Sequence, residues 1–222
     1  MYTQNSLVCW VSFNLTAIKF IILSIDCVKW SFRLIKIYRS AGIGNNWIVT
    51  TAIGETYLKN WEEFALPSWM KYCDINDIGI VVISDHLINR DDPYWKKPNW
   101  QKLLIPKLLV KNIPNISCVC YLDTDFLLNP YAPNIFKTYD GESYGLTSRV
   151  NNQPMQLELV QRQFVYLRNK YYDQDYPLDS VVFMSIEDQY KYSGLSPRKE
   201  AACTGLILFN PELIGEEMEN WF

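Results

Sequence analysis

The sequence of 222 residues contains one histidine, His86, and six cysteines that are scattered along the chain. Protein zinc sites are built from histidine and cysteine ligands at short, regular spacings, and the sequence offers no such ligand set. The two cysteines that lie closest together, Cys118 and Cys120, fall inside an apolar run. This position favours buried free thiols in a reducing compartment over metal ligands.

The chain also has little excess charge of either sign, with a formal net charge of −3. Because nucleic-acid-binding domains normally carry a strongly basic surface, no polyanionic partner such as DNA is expected. Hydrophobic residues make up 49 % and charged residues 20 % of the chain, which is ordinary for a globular protein. The length suits one α/β domain with a substantial core, or two small domains.

Long apolar runs without charge are also lacking. The most apolar stretch, residues 7–25, contains Lys19, whereas a spanning helix needs about 20 apolar residues with few charges. No positive charge precedes it, as a signal peptide would require. Residues 1–45 remain open between a packed leader, a weak membrane anchor, and a basic amphipathic segment lying on a membrane through residues 7–39. The location of the protein stays equally open, between the cytoplasm and a membrane or, for an anchored protein, a Golgi-type lumen.

From residue 46 onward the sequence alternates between strand and helix patterns. Strands are predicted at residues 47–52, 78–83, 118–122, 143–147 and 201–210, and helices at 55–72 (interrupted at Pro67), 99–110, 154–172 and from Pro211. The continuous apolar run at 78–83 is typical of a strand in a parallel sheet that is covered on both faces. The alternation predicts an α/β fold with a mostly parallel sheet and helices on both faces.

Two carboxylates, Asp123 and Asp125, follow the third predicted strand. In extended backbone, side chains at i and i+2 leave the same face, so these two should converge while Thr124 points away. Converging carboxylates suit a hard divalent cation that keeps part of its coordination shell for water and phosphates. The alternative is a solvated turn after a strand.

Polar residues follow the first two strands as well, namely Thr50-Thr51-Ala52 after the first and Asp85 after the second. In open parallel sheets, ligands bind in the crevice outside the carboxyl ends of the strands. These residues and Asp123 are therefore predicted to face one crevice, although Asp85 could instead cap its own turn.

Four stretches resemble the GT-A-fold glycosyltransferases, the nucleotide-diphospho-sugar transferase superfamily, over about residues 46–215. They are Ile48-Val49-Thr50-Thr51-Ala52, Trp100-Gln101-Lys102-Leu103-Leu104-Ile105-Pro106, Tyr121-Leu122-Asp123-Thr124-Asp125 with Leu127-Leu128-Asn129, and Thr204-Gly205-Leu206-Ile207-Leu208-Phe209-Asn210. The last stretch departs from the family, which more often has Asn-Ala-Gly where this chain has Cys203-Thr204-Gly205. The resemblance implies a Rossmann-like, GT-A-like domain over residues 46–222.

The resemblance also implies a metal-dependent transfer of a sugar from a nucleotide-diphosphate donor, expected to be UDP-linked, to an unknown glycan, lipid or protein acceptor. Asp123 and Asp125 would be the DxD motif that binds Mn²⁺ or Mg²⁺. The residues implied in donor binding are Thr50, Thr51, Ala52, Tyr57, Asp85, Lys102, Asp123, Arg149 and Gly205. Among them, Lys102 would reach the diphosphate or sugar, unless it is a surface lysine whose stem lies along the helix.

Parts of the family's chemistry are not found in this sequence. Many members have a later histidine as a metal ligand, but none follows His86, and no catalytic base can be assigned. The chain ends soon after the Gly205 strand, so the domain is expected to be incomplete at its carboxyl terminus. A non-catalytic nucleotide-sugar-binding or membrane-surface module is the alternative. A phosphotransferase of the haloacid-dehalogenase type is disfavoured, because it would carry its Asp-x-Asp on the first strand.

Overall fold

The computed structural model describes residues 34–148 and 185–222, together with residues 162, 165 and 166. Apart from those three residues, the helix predicted at 154–172 lies outside the described part of the chain. The stretch at residues 1–33, and with it most of the predicted leader, also lies outside it.

The described residues form one sheet of six strands. The strands are β1 (Ile35–Arg39), β2 (Trp47–Thr51), β3 (Gly79–Ile83), β4 (Val119–Leu122), β5 (Gly145–Ser148) and β6 (Ala202–Phe209), in the spatial order β1-β3-β2-β4-β6-β5. As predicted, β2 pairs in parallel with both β3 and β4. The other three pairs, β1 with β3, β4 with β6 and β5 with β6, are antiparallel.

The prediction of a mostly parallel sheet is therefore wrong: the sheet is mixed, with a parallel centre and antiparallel flanks. The reason lies in what an apolar run can specify. The second half of β6, residues 205–209, is apolar because it is covered on both faces, and this pattern is the same in either direction. Its direction depends on the connection that precedes it, which the hydrophobic pattern does not reveal.

Helices connect the strands. They are α1 (Glu55–Asn60), a π-helical turn (Trp61–Ala65), α2 (Leu66–Asn76), α3 (Pro98–Gln101), a 3₁₀ turn (Lys102–Leu104), α4 (Ile105–Asn112), a 3₁₀ turn (Ile135–Thr138), α5 (Ile186–Tyr192) and α6 (Pro211–Trp221). The predicted interruption at Pro67 is not seen, because the chain is helical without a break from Glu55 to Asn76, with the π-helical turn just before α2. Pro67 and Pro106 both lie in the first turn of an α-helix that directly follows another helical turn, π-helical before Pro67 and 3₁₀ before Pro106.

The sheet separates two apolar clusters, so the prediction of helices on both faces is confirmed. One cluster joins Val49, Val81 and Tyr121 to residues of α4 and α6. The other joins alternate strand residues, such as Ile48 and Cys120, to the helical segment from α1 to α2. The alternation of side chains along each strand therefore decides which helical layer a residue meets.

Residues 35–39 belong to this sheet. Arg39 fixes the end of β1, since its Nη1 donates to the Ile78 carbonyl at 2.6 Å and its Nε to Asp74 at 2.8 Å. The sheet thus begins earlier in the chain than the boundary predicted at residue 45, and Lys36 and Arg39 of the basic stretch lie in an edge strand. Within the described residues, no helix combines the length and the apolar character needed to cross a membrane.

Candidate functional site

The carboxyl ends of β2, β3 and β4 lie at one edge of the sheet because the three strands are parallel. β2 is central, with β3 on one side and β4 on the other. The connection from β2 to β3 packs on one face through α2, and the connection from β3 to β4 packs on the other through α4. Where neighbouring connections pack on opposite faces of a sheet in this way, a crevice is left at the carboxyl ends of the adjacent strands.

Polar side chains meet at this edge, across β2 and β4. The Tyr121 hydroxyl donates to Oδ1 of Asp123 at 2.9 Å and lies 3.0 Å from Oγ1 of Thr51. Nζ of Lys102 lies 3.4 Å from the same Oδ1 and donates to the Thr204 carbonyl at 2.8 Å. We refer to Thr51, Lys102, Tyr121, Asp123 and Gly205 as the strand-end cluster. It brings together four of the predicted donor-binding residues.

The strand-end cluster combines buried donors with a half-exposed carboxylate. Lys102 is 7 % and Tyr121 3 % exposed, whereas the Asp123 side chain is 43 % exposed. Burial, reinforced by the negative charge of Asp123, raises the pKa of the Tyr121 phenol. Tyr121 therefore stays protonated and donates its hydrogen to Asp123 throughout the physiological pH range.

Gly205 permits the close approach of β6 to the end of β4. Its carbonyl accepts a hydrogen bond of 2.9 Å from the Asp123 backbone N–H. A Cβ atom at this position would lie 3.0 Å from Oδ2 of Asp123 and 3.2 Å from the ring of Phe126. The glycine thus makes room for the Asp123 carboxylate, a use that differs from the predicted approach of backbone to a sugar.

The backbone turns immediately after β4. The strand ends at Leu122, and the Phe126 N–H donates to the Asp123 carbonyl at 3.3 Å across a turn at residues 124–125. The extended backbone assumed for the two carboxylates is therefore not present, because the turn begins between them. Asp125 is exposed on this turn, and its charge also contributes to the raised pKa of Tyr121.

Helix α2 holds this turn in place. The indole Nε1 of Trp69 donates to the Phe126 carbonyl at 2.9 Å, and the Leu128 N–H donates to Oγ of Ser68 at 3.1 Å. Trp69 is fully buried. The turn that carries Asp125 is therefore held by α2, which packs on the face of the sheet opposite to Tyr121.

The oxygen ligands of Asp123 and Asp125 suit Mg²⁺ or Mn²⁺. Among the described residues, no three histidine, cysteine or acidic side chains are grouped closely enough to hold a metal ion by themselves. Mg²⁺ is commonly bound by one or two carboxylates together with water and substrate phosphates. By the type of their ligand atoms, Asp123 and Asp125 thus suit a cation that is shared with a bound diphosphate.

Other predicted site residues lie away from the strand-end cluster or lack contacts with it. Thr50 is fully buried on the opposite face of β2, with no partner for its hydroxyl among the described residues, and Ala52 is buried in the core. Tyr57 is 66 % exposed on α1. Asp85 accepts a hydrogen bond from the neighbouring His86 N–H at 2.7 Å, as a turn cap does. Arg149 lies outside the described residues.

Tyr121 was missed as a site residue, although the sequence contains a signal for it. It lies two positions before Asp123, and alternate residues of a strand share a face. Gln101 was also missed: it is fully buried, and it binds the loop after β3 through the Leu87 N–H at 2.7 Å and the Lys96 carbonyl at 2.8 Å. Gln101 immediately precedes Lys102, so it connects that loop to the strand-end cluster.

No protein-family model matches this chain, and no curated protein matches it. What the chain does is therefore inferred from the strand-end cluster and from the resemblance seen in its sequence.

Proposed function

We propose that the protein is a metal-dependent glycosyltransferase with a GT-A-like, Rossmann-like fold. It takes a sugar from a nucleotide-diphosphate donor, for which we propose UDP as the nucleotide, and passes it to a glycan, lipid or protein acceptor. The observation that supports this most is the meeting of Lys102 with Asp123 beside Thr51, at the carboxyl edge of the parallel strands.

Charge balance supports the dependence on metal. Asp123 and Asp125 bring two negative charges to this edge and Lys102 brings one positive charge, which leaves an excess of one negative charge. A diphosphate would be repelled by that excess, and a bound divalent cation reverses its sign. Asp123 and Asp125 would hold the Mn²⁺ or Mg²⁺, which supplies charge neutralisation for the diphosphate and for the departing nucleotide.

The remaining residues of the cluster bind and orient the donor. Lys102 offers a buried ammonium group, which acts as a point charge toward a phosphate oxygen. Thr51, at the end of β2, lies on the side of the crevice that would receive the nucleoside. Gly205 keeps β6 close to Asp123, so that the carboxylate stays at the mouth of the crevice.

Calorimetric titration of UDP and GDP, with and without Mn²⁺, tests this proposal. We expect Mn²⁺ to strengthen binding to the wild-type protein, and Asp125→Asn to lose most of that gain. Asp74→Asn is the matched control, since Asp74 is an exposed carboxylate that pairs with Arg39 near the amino end of β3, at the opposite edge. Equal binding with and without Mn²⁺, or an Asp125→Asn variant that behaves like the wild type, would contradict the assigned metal site.

One observation favours a second candidate, a non-catalytic module that binds nucleotide sugars without metal. Lys102 already pairs with Asp123, so a cation is present in the cluster before any metal binds. Such a module would bind UDP equally well in the presence of a chelator. The same titration distinguishes the two candidates.

A further inference from the structure

We propose that Tyr121 is a positioning residue of the strand-end cluster: its hydroxyl orients Asp123 and its ring face holds the ammonium group of Lys102. This rests on the proposed function for the identity of what the cluster binds. The arrangement itself is seen directly, since one buried side chain contacts three of the residues implied in donor binding.

The Tyr121 hydroxyl determines which groups of the cluster donate and which accept hydrogen bonds. A phenol has one hydrogen, and Tyr121 donates it to Oδ1 of Asp123 at 2.9 Å. Thr51 must then donate to the phenol oxygen across the 3.0 Å that separates the two hydroxyls. This chain of bonds fixes Oδ1 against the sheet, so Asp123 presents Oδ2 to a ligand.

The ring acts on Lys102. Its ammonium nitrogen lies 4.6 Å from the centroid of the Tyr121 ring, within the distance at which a cation is attracted to an aromatic face. A lysine side chain has four flexible bonds, and a fixed aromatic surface restricts the positions of its charge. The ring is itself fixed by the sheet, because Tyr121 pairs with Val49 of β2 and Ile207 of β6.

The two actions can be separated by substitution. Tyr121→Phe removes the hydroxyl and keeps the ring, whereas Tyr121→Leu removes both. Tyr72→Phe is a matched control: Tyr72 is also 3 % exposed, and its hydroxyl also makes two hydrogen bonds, to the Pro133 carbonyl and the Ile135 N–H, but in the other core cluster.

The first measurement needs no nucleotide. Lys102 should be acetylated slowly in the folded wild-type protein and in Tyr121→Phe, and roughly tenfold faster in Tyr121→Leu, as followed by peptide mass spectrometry. Acetylation of Lys102 in Tyr121→Leu at the wild-type rate would overturn the role of the ring. Faster acetylation in Tyr121→Phe would overturn it too, because the ring alone would then not shield the lysine, and this second comparison can be made even if Tyr121→Leu does not fold.

A double-mutant cycle also tests the hydroxyl without nucleotide. Tyr121→Phe and Asp123→Ala, combined, should change the unfolding equilibrium constant by several-fold less than the product of the two single changes, because each removes the same bond. Additive effects would overturn the role of the hydroxyl.

A third measurement tests the consequence for binding. Tyr121→Phe should weaken Mn²⁺-dependent UDP binding on the order of tenfold, since the lost bond is to a charged group, while Tyr72→Phe should bind UDP like the wild type. Equal UDP affinities in Tyr121→Phe and Tyr72→Phe would overturn the positioning role, because a purely structural tyrosine would show that result. A wild-type protein that binds no nucleotide would instead refute the proposed function, and acetylation and the cycle would then decide the role of Tyr121 alone.

Discussion

The ammonium nitrogen of Lys102 lies 3.4 Å from Oδ1 of Asp123 and only 2.8 Å from the Thr204 carbonyl oxygen. The carboxylate is therefore the weaker of its two partners. Asp123 is also half-exposed, so it can find other partners in solvent. We expect Lys102 to release Asp123 and turn toward a diphosphate while it keeps its bond to Thr204. The pair with Asp123 therefore positions the lysine near the binding site but is weak enough for a diphosphate to replace it.

Lys102→Met tests this arrangement, because it removes the charge and keeps a flexible stem of similar length. We expect UDP affinity to fall by more than about tenfold, the typical effect of losing a charged hydrogen bond. Thermal stability should fall only modestly, because the Asp123 carboxylate left without Lys102 is 43 % exposed and solvent screens its charge. Calorimetry and thermal melting measure the two effects. Lys102→Met with wild-type UDP affinity would exclude Lys102 from donor binding.

Gly205→Ala should displace the Asp123 carboxylate of the strand-end cluster, because Gly205 of β6 packs against it. The added methyl group would lie 3.0 Å from Oδ2 of Asp123 and 3.2 Å from the ring of Phe126, closer than ordinary contacts. We expect a loss of about 1 to 3 kcal/mol in unfolding free energy, as for other overpacked sites, together with weaker Mn²⁺-dependent UDP binding. Gly141→Ala serves as a control, because a Cβ at Gly141 meets nothing within 4 Å; that glycine has φ of 80°, so some strain is expected there without an effect on binding.

Most of the sheet and part of the site could be predicted from the sequence. The apolar runs predicted β2, β3 and β4 and their parallel pairing, because strands that alternate with helices form parallel crossovers. β1 was not predicted at all, because residues 35–39 fell in the basic stretch of the predicted leader, and the direction of β6 could not be predicted, since an apolar run carries no direction. Asp123, Lys102 and Thr51 are indeed together, but Tyr121 was taken for an ordinary strand residue. Its place two positions before Asp123 is a local signal, but its contacts with Thr51 and Lys102 join separate elements, and no local pattern contains them.

Trp69→Phe should loosen the turn that carries Asp125. The substitution removes the indole N–H that donates to the Phe126 carbonyl, and it leaves a small cavity in the core around a fully buried side chain. We expect the unfolding free energy to fall by about 2 to 4 kcal/mol from the lost bond and the cavity together. Chemical denaturation measures this, and hydrogen exchange should show faster exchange at Leu128. Protection of Leu128 equal to that in the wild type would mean that Ser68 alone holds the turn.

Arg39→Ala should weaken the attachment of the edge strand β1 to the rest of the sheet. It removes the bond to the Ile78 carbonyl and the pair with Asp74, whose side chain is 61 % exposed. Because exposed ion pairs add little, we expect a loss of about 1 to 2 kcal/mol, mostly from the bond to Ile78. Asp74→Asn, which removes the exposed charge alone, should cost less than about 0.5 kcal/mol. Equal losses in the two variants, measured by denaturation, would mean that the salt bridge and not the carbonyl bond anchors β1.

The cysteines of the described residues should differ sharply in reactivity. Cys73 and Cys120 are buried, and burial raises the pKa of Cys73 to about 12 from an ordinary value of 9.0 and also raises the pKa of Cys120. Because the thiolate is the reactive form, both should resist iodoacetamide at pH 8, while the partly exposed Cys118 and Cys203 are modified. Peptide mass spectrometry after brief alkylation of the native protein measures the extent of modification at each cysteine.

These buried thiols also give the stability of the fold a predictable dependence on pH. A raised pKa means that the folded state keeps protons that the unfolded state loses above pH 9, so the contribution of these thiols is complete below pH 9 and declines as pH rises toward 12. We expect the unfolding free energy to fall by about 1.4 kcal/mol per pH unit for Cys73 in that range. Cys73→Ala should make this slope shallower in denaturant titrations between pH 9 and 11 while Cys120 still contributes, whereas Cys203→Ala should leave the slope unchanged. If Cys73→Ala retained the wild-type slope, some other group would have to release the proton on unfolding.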